Sequence, residues 1–173
     1  MPDPLHPALV HLPLGLALAT PLLAAGLALA VWRGWLPRRG WVAAVALQAL
    51  LVAGGVSAMR SGERDAHRVE KLLGVAPVDA HEERAEAFVW TAGAVLAVAA
   101  AAVFVPPRLA GPLLGLSWAG MVVVAILAVR AGKAGGELVY RYGAARAHGA
   151  AGPGAPPAAG GAGESQRAPR EHR

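Results

Sequence analysis

Seven side chains carry most of the chemistry this sequence could perform: His6, His11, Glu63, His67, His81, Glu82 and Glu137. Two imidazoles on different helices at similar depth can ligate a haem iron from its opposite faces. The same imidazoles joined by carboxylates suit Zn, Fe or Cu. His11 and His81 are the candidate axial pair for a b-type haem, with His6, Glu63, His67 and Glu137 as its surrounding shell or a proton path. The candidate metal ligands are His6, His11, His67, His81, Glu63 and Glu82. Spacing does not choose between these chemistries. There is no His-Glu-x-x-His, no Cys-x-x-Cys-His and no two histidines on one helical turn.

Each of these residues also has a plainer role. His11 near the start of a hydrophobic run can bond a carbonyl or a lipid headgroup. An ionisable group inside such a run is nevertheless a functional candidate by default. Glu82 and Glu83 follow His81 at a helix start, where carboxylates suit the positive end of the dipole. His67 has Glu63 four residues before it and Lys71 four after it, a spacing that equally makes a solvated helix face.

The elements that must position these groups are membrane spans. Hydrophobic residues make up 55% of the 173-residue chain and charged residues 16%, too few charges to cover a soluble domain of this size. The apolar residues come in blocks, which predict four spans at about 8–32, 41–59, 85–105 and 109–131. Each is long enough, at about 1.5 Å per residue, to cross a hydrocarbon core roughly 30 Å thick. The first block has no preceding Lys or Arg and is too long for a signal core, so it reads as a retained span. Pro13 and Pro21 within it are tolerable in a membrane, where neighbouring helices re-satisfy freed backbone groups. Trp32, Trp35 and Trp41 bracket the first connection as interfacial anchors. Val105-Pro106-Pro107-Arg108 leaves room only for an antiparallel hairpin between the third and fourth spans. Gly54-Gly55, Gly93 and the 97–102 alanine run would let helices approach closely.

The fold class is therefore all-α: an integral membrane four-helix bundle over residues 1–148, followed by a disordered low-complexity tail over 149–173. Between the second and third spans, residues 60–84 are rich in both charge signs. Val69, Leu72 and Leu73 give the first half of this connection the pattern of an amphipathic interfacial helix. An even number of spans puts both termini and this connection on one membrane side. That parity gathers the seven polar residues into one candidate site between the starts of the first and third helices.

Composition narrows the function further. The chain has no cysteine, which removes disulfides, thiolate zinc sites and cysteine nucleophiles. Its net charge of +5 lies in the tail and beside hydrophobic blocks, so it points to lipid and helix orientation and not to nucleic acid. A hydrolase or transferase has no support, for there is no nucleophile motif, Walker loop or dinucleotide fingerprint.

Two motifs carry a family resemblance: His6-Pro7-Ala8-Leu9-Val10-His11-Leu12-Pro13 at the start, and Gly135-Gly136-Glu137-Leu138-Val139-Tyr140-Arg141-Tyr142-Gly143 after the fourth span. Together with the connection from Val69 through His81-Glu82, they make residues 4–145 resemble domain-of-unknown-function family 2231, small four-span bacterial membrane proteins. The resemblance implies an electron-transfer setting, because members occur fused to Rieske-type or c-type cytochrome domains. Such fusions also imply extracytoplasmic termini. Tyr142 stands where the family commonly has His, a departure that takes the imidazole from that position. A plain positive-inside count opposes this orientation: Arg60, Arg64, Arg68, Lys71, Arg84, Arg130, Lys133, Arg141 and Arg146 face Arg33, Arg38, Arg39 and Arg108 across the membrane. The opposite loops are short and purely basic, however, and the family setting favours termini outside.

Three functions remain open on these grounds. The first is a subunit of an electron-transfer system in the bacterial inner membrane, binding b-type haem near one membrane face or serving a quinone-linked chain. The second is a cofactor-free accessory subunit docked to other membrane or redox subunits. The third is a His/Glu metal site or small-solute channel.

Overall fold

The computed structural model describes residues 10–143, the side chains of 64–68, 72 and 73 excepted. Four helices follow one another: α1, His11–Trp32; α2, Val42–Leu73; α3, Val75–Phe104; and α4, Pro107–Tyr140. A 3-10 turn, Arg38–Trp41, leads into α2. No strand occurs among the described residues. All four helices are long and apolar enough to cross a membrane. The protein is thus a four-helix membrane protein, as the blocked hydropathy predicts.

Consecutive helices pack against each other, and α4 closes the ring on α1. The diagonal pairs, α1 with α3 and α2 with α4, make no close backbone approach among the described residues. Short connections force this up-down-up-down order. Pro106 and Pro107 form the tightest of them. Pro107 opens α4, where its missing N–H would have had no intrahelical partner in any case.

Small residues close the seams. A Cβ added to Gly54 would stand 3.3 Å from Pro13 Cδ, and one on Gly55 would stand 3.2 Å from Val89 Cγ2. One on Gly120 would fall 2.5 Å from Val95 Cγ2, and one on Gly132 would touch Leu14 at 3.5 Å. One such approach therefore lies in each of the four seams. The expectation for Gly54-Gly55 is met, whereas Gly93 faces open space. Ala99 and Ala102 of the alanine run are buried, while Ala97 and Ala101 face outward.

Polar groups inside the bundle are few and tied to the backbone. Thr20 and Ser117 each donate to the carbonyl four residues back, Leu16 and Leu113, at 2.6 Å. Gln48 Nε2 donates to the Ala92 carbonyl at 3.1 Å, tying α2 to α3. At the opposite end from the termini, Trp41 Nε1 donates to the Ala99 carbonyl at 3.2 Å and Arg38 to the Val103 carbonyl at 2.8 Å. Trp118 Nε1 reaches the carbonyl of Pro21 at 3.1 Å and so ties α4 to the proline turn of α1.

The polar connection differs from its expected form. It is helical, but it is continuous with the spans instead of forming a separate element along the surface. α2 runs unbroken from Val42 to Leu73, and α3 begins at Val75, ten residues before the expected apolar span. Between Met59 and Leu73 the sequence is mostly Glu, Arg, Ala, Lys and Leu, all good helix formers, with Gly62 the weakest residue. The break comes at Gly74, whose φ of 82° ends α2 in the left-handed region. Pro77 then sits in the first turn of α3, where it removes no intrahelical bond.

Candidate functional site

The termini-side end of the bundle is built around the seam between α3 and α4. Leu138, the leucine of the Gly-Gly-x-Leu motif, is buried with Val78 of α3, and Val69 of α2 packs against the pair. This small apolar cluster holds the extended ends of three helices together beyond the main core. It also fixes the rotation of α4, so that Gly135, one turn earlier, faces α3.

His81 fills the space that Gly135 leaves. A Cβ at Gly135 would stand 3.2 Å from His81 Cε1, 3.6 Å from Nδ1 and 3.8 Å from Nε2. The imidazole edge therefore lies on the α4 backbone, and any side chain at 135 would press on it. The neighbouring Gly136 meets nothing within 4 Å. Of the two motif glycines, only the first has a packing duty.

Beside His81 lies a cleft of about 300 Å³ between the start of α3 and the end of α4. Arg84, Glu137 and Tyr142 give it polar walls, and Ala76, Ala80 and Ala134 line it with apolar surface. Arg84 Nη1 donates to the Ala80 carbonyl at 2.6 Å. The Glu137 carbonyl accepts from the backbone N–H groups of Arg141 and Tyr142, at 2.9 and 3.1 Å, which ends α4 and brings Tyr142 back to the cleft. The Arg141 guanidinium lies 5.8 Å from the Tyr142 ring centre.

Carboxylates collect on the same side. Glu82, outside the apolar part of α3, has its pKa raised from the usual carboxylate range. Burial is the main cause, followed by the negative charges of Glu70, Asp79, Glu63 and Glu86. The connection is therefore an acidic surface as well as a basic one.

The other candidate residues are placed as follows. His11 opens α1 and is exposed. It stands one turn outside Leu14, which touches Gly132, while His81 touches Gly135 one turn beyond Gly132. Because α1 and α4 run antiparallel, His11 and His81 lie at one level of the bundle. They do not share a seam: α1 and α3 are diagonal. Glu63 is exposed on α2, and Glu82 is half-buried on α3. His67 belongs to α2, with its side chain outside the described residues, and His6 lies outside them altogether, as does the tail. Among the described residues no three His, Asp or Glu side chains stand close enough to hold a metal ion.

Arg84 and Tyr142 are the site residues that sequence reasoning did not assign, together with the seating role of Gly135. The signal for Gly135 was available. Two glycines inside a helix cost about 1 kcal/mol each relative to alanine, so a packing reason is expected for at least one of them. Arg84 and Tyr142 had no comparable signal, because only the α3–α4 register brings them to one cleft.

No curated protein and no solved structure matches the chain. Residues 2–148 match the family described as predicted membrane protein, DUF2231. With four membrane-length helices and a family match over most of its length, the chain belongs to the DUF2231 family of predicted membrane proteins.

Proposed function

We propose that this protein is a small multi-pass subunit of an electron-transfer system in the bacterial cytoplasmic membrane, working at the membrane face on which its termini lie. The observation that carries this reading is the seat of His81 on Gly135, beside the cleft that holds Arg84, Glu137 and Tyr142. The closing family motif is spent on building that seat and that cleft. Ordinary span packing needs neither of them. The redox setting comes from the family, whose members occur fused to Rieske-type or cytochrome domains.

Within this reading, the arrangement favours a subunit that docks a partner over one that carries haem between His11 and His81. The two residues share a level, which suits axial ligation. Yet His11 is exposed and the His81 ring edge lies on the α4 backbone, so holding one iron between them requires both side chains to turn. Docking requires no such change. The exposed, charged faces of the α2–α3 extension are available to a soluble or membrane partner, and the Ala- and Gly-rich faces to other spans.

A reduced-minus-oxidised absorption spectrum of the detergent-purified protein, with metal analysis, decides between the two forms. A colourless, metal-free protein that copurifies with redox subunits is the expected result. A haem band lost in both His11→Ala and His81→Ala would replace it with the haem-carrying form. For orientation, external protease on intact spheroplasts should trim the C-terminal residues; full protection would put the termini in the cytoplasm.

A further inference from the structure

The cleft at the α3–α4 seam contains one cation and one anion that do not pair with each other. Arg84 uses Nη1 on the Ala80 carbonyl, one of the five N–H donors of a guanidinium. Glu137 is exposed, and its carboxylate makes no ion pair or hydrogen bond among the described residues. Both line the same volume of about 300 Å³, together with Tyr142. Opposite charges held on separate walls of one cleft suit a guest that carries both signs.

Depth identifies the guest further. The apolar part of α3 begins after Arg84, and that of α4 ends near Ala131. At about 1.5 Å per residue, Ala134 stands about 5 Å outside the hydrocarbon and Glu137 about 9 Å. The cleft therefore runs through the headgroup layer, about 5–8 Å thick on each side of the bilayer, to its outer edge. Ala80 and Ala134 give the cleft an apolar wall next to the polar ones, with Ala76 at its outer rim.

We propose that this cleft binds the headgroup of a zwitterionic phospholipid with a primary amine, its phosphate on Arg84 and its ammonium on Glu137. A carboxylate takes N–H donors, which a primary ammonium has and a trimethylammonium lacks. A purely anionic headgroup would satisfy Arg84 and be repelled by Glu137. A free zwitterion shares this chemistry, but the depth of the cleft and its alanine wall favour the lipid. The proposal does not depend on the redox reading.

The test reconstitutes the full chain into nanodiscs of equal phosphatidylethanolamine, phosphatidylcholine and phosphatidylglycerol, and reads the retained lipids by native mass spectrometry. The expected result is several-fold enrichment of phosphatidylethanolamine, lost in Arg84→Gln and in Glu137→Gln and kept in Arg108→Gln at the opposite membrane face. Both cleft residues are exposed, so unchanged circular dichroism should confirm that the variants fold. Equal retention of the three lipids would overturn the proposal. Enrichment of phosphatidylglycerol that depends on Arg84 alone would overturn it too, in favour of a plain anion site. Displacement of the bound lipid by soluble phosphoethanolamine at matching concentration would reassign the cleft to a free zwitterion.

Discussion

The centre of the bundle and its termini-side end handle polar groups in opposite ways. At the centre, Thr20, Gln48 and Ser117 are almost wholly removed from solvent, at 1%, 0% and 0% exposure. Each spends a donor on a backbone carbonyl of its own or the next helix. At the end, His81 and Glu82 are half-buried, and Arg84 and Glu137 are exposed. The contrast separates two uses of polarity in a membrane protein. Interior groups close on the backbone, and Gln48 uses that bond to tie two helices. Groups at the surface stay available to bind. Gly135 is the point where the two meet, because a close helix approach there serves to seat a titratable ring.

The strongest way to break this comparison is to overpack the centre. Gly120→Val puts a stiff, branched side chain where a single Cβ already falls 2.5 Å from Val95. It should cost about 2–3 kcal/mol in detergent unfolding, whereas Gly136→Ala, in open space, should gain up to about 1 kcal/mol from helix propensity. Equal effects would mean that the α3–α4 seam is not close at Gly120.

A smaller effect is expected where the two regions meet. Gly135→Ala brings a methyl to 3.2 Å from His81 Cε1 and should cost about 1 kcal/mol. The His81 ring signals in an NMR spectrum should move while those of His11 stay. Movement of both, or of neither, would separate His81 from the Gly135 seat.

Gln48→Met sharpens the reading of the centre. The variant loses the hydrogen bond to the Ala92 carbonyl but also removes Gln48 Oε1, a buried acceptor with no partner among the described residues. These terms oppose each other, so the net change should stay within about 1 kcal/mol of zero. A much larger loss would mean that Oε1 is bonded in the membrane.

The smallest effect belongs to Glu82. Its carboxyl titrates above the usual range in the folded protein, so the fold binds this proton more tightly than the unfolded chain does. The sign follows: this group lowers stability as pH rises through and above the ordinary carboxylate value of 4.5, and has no effect well below it. Glu82→Gln should therefore raise the Tm slightly at neutral pH, with the gain fading in acid. Solvent screening keeps the shift small. A gain that persisted in acid would point to packing in place of charge.

The spans were legible because length and blocked hydropathy leave a membrane helix little alternative. The grouping of His11, His81 and Glu82 on one side followed from the parity of the spans alone. What lay beyond the sequence was rotation about the helix axes. Nothing in the spacing says that His81 turns toward Gly135 while His11 turns outward. The same holds for Arg84 and Tyr142, fifty-eight residues apart, which meet only through the α3–α4 register. The helical continuity of residues 60–84 is a different case. Its composition favours helix throughout, but the charges mark it as a surface connection, and only Gly74 shows where the chain reverses.

That reversal has a practical consequence. The α2–α3 hairpin carries its turn about 20 Å past Met59, at roughly 1.5 Å per residue, which places it well clear of the lipid headgroups. Its tip is one left-handed glycine with nothing within 4 Å of an added Cβ. A short epitope or a fluorophore inserted directly after Gly74 would ride on a stiff stalk whose base is set by the bundle. Such a label would report the height and sidedness of this surface without touching the spans.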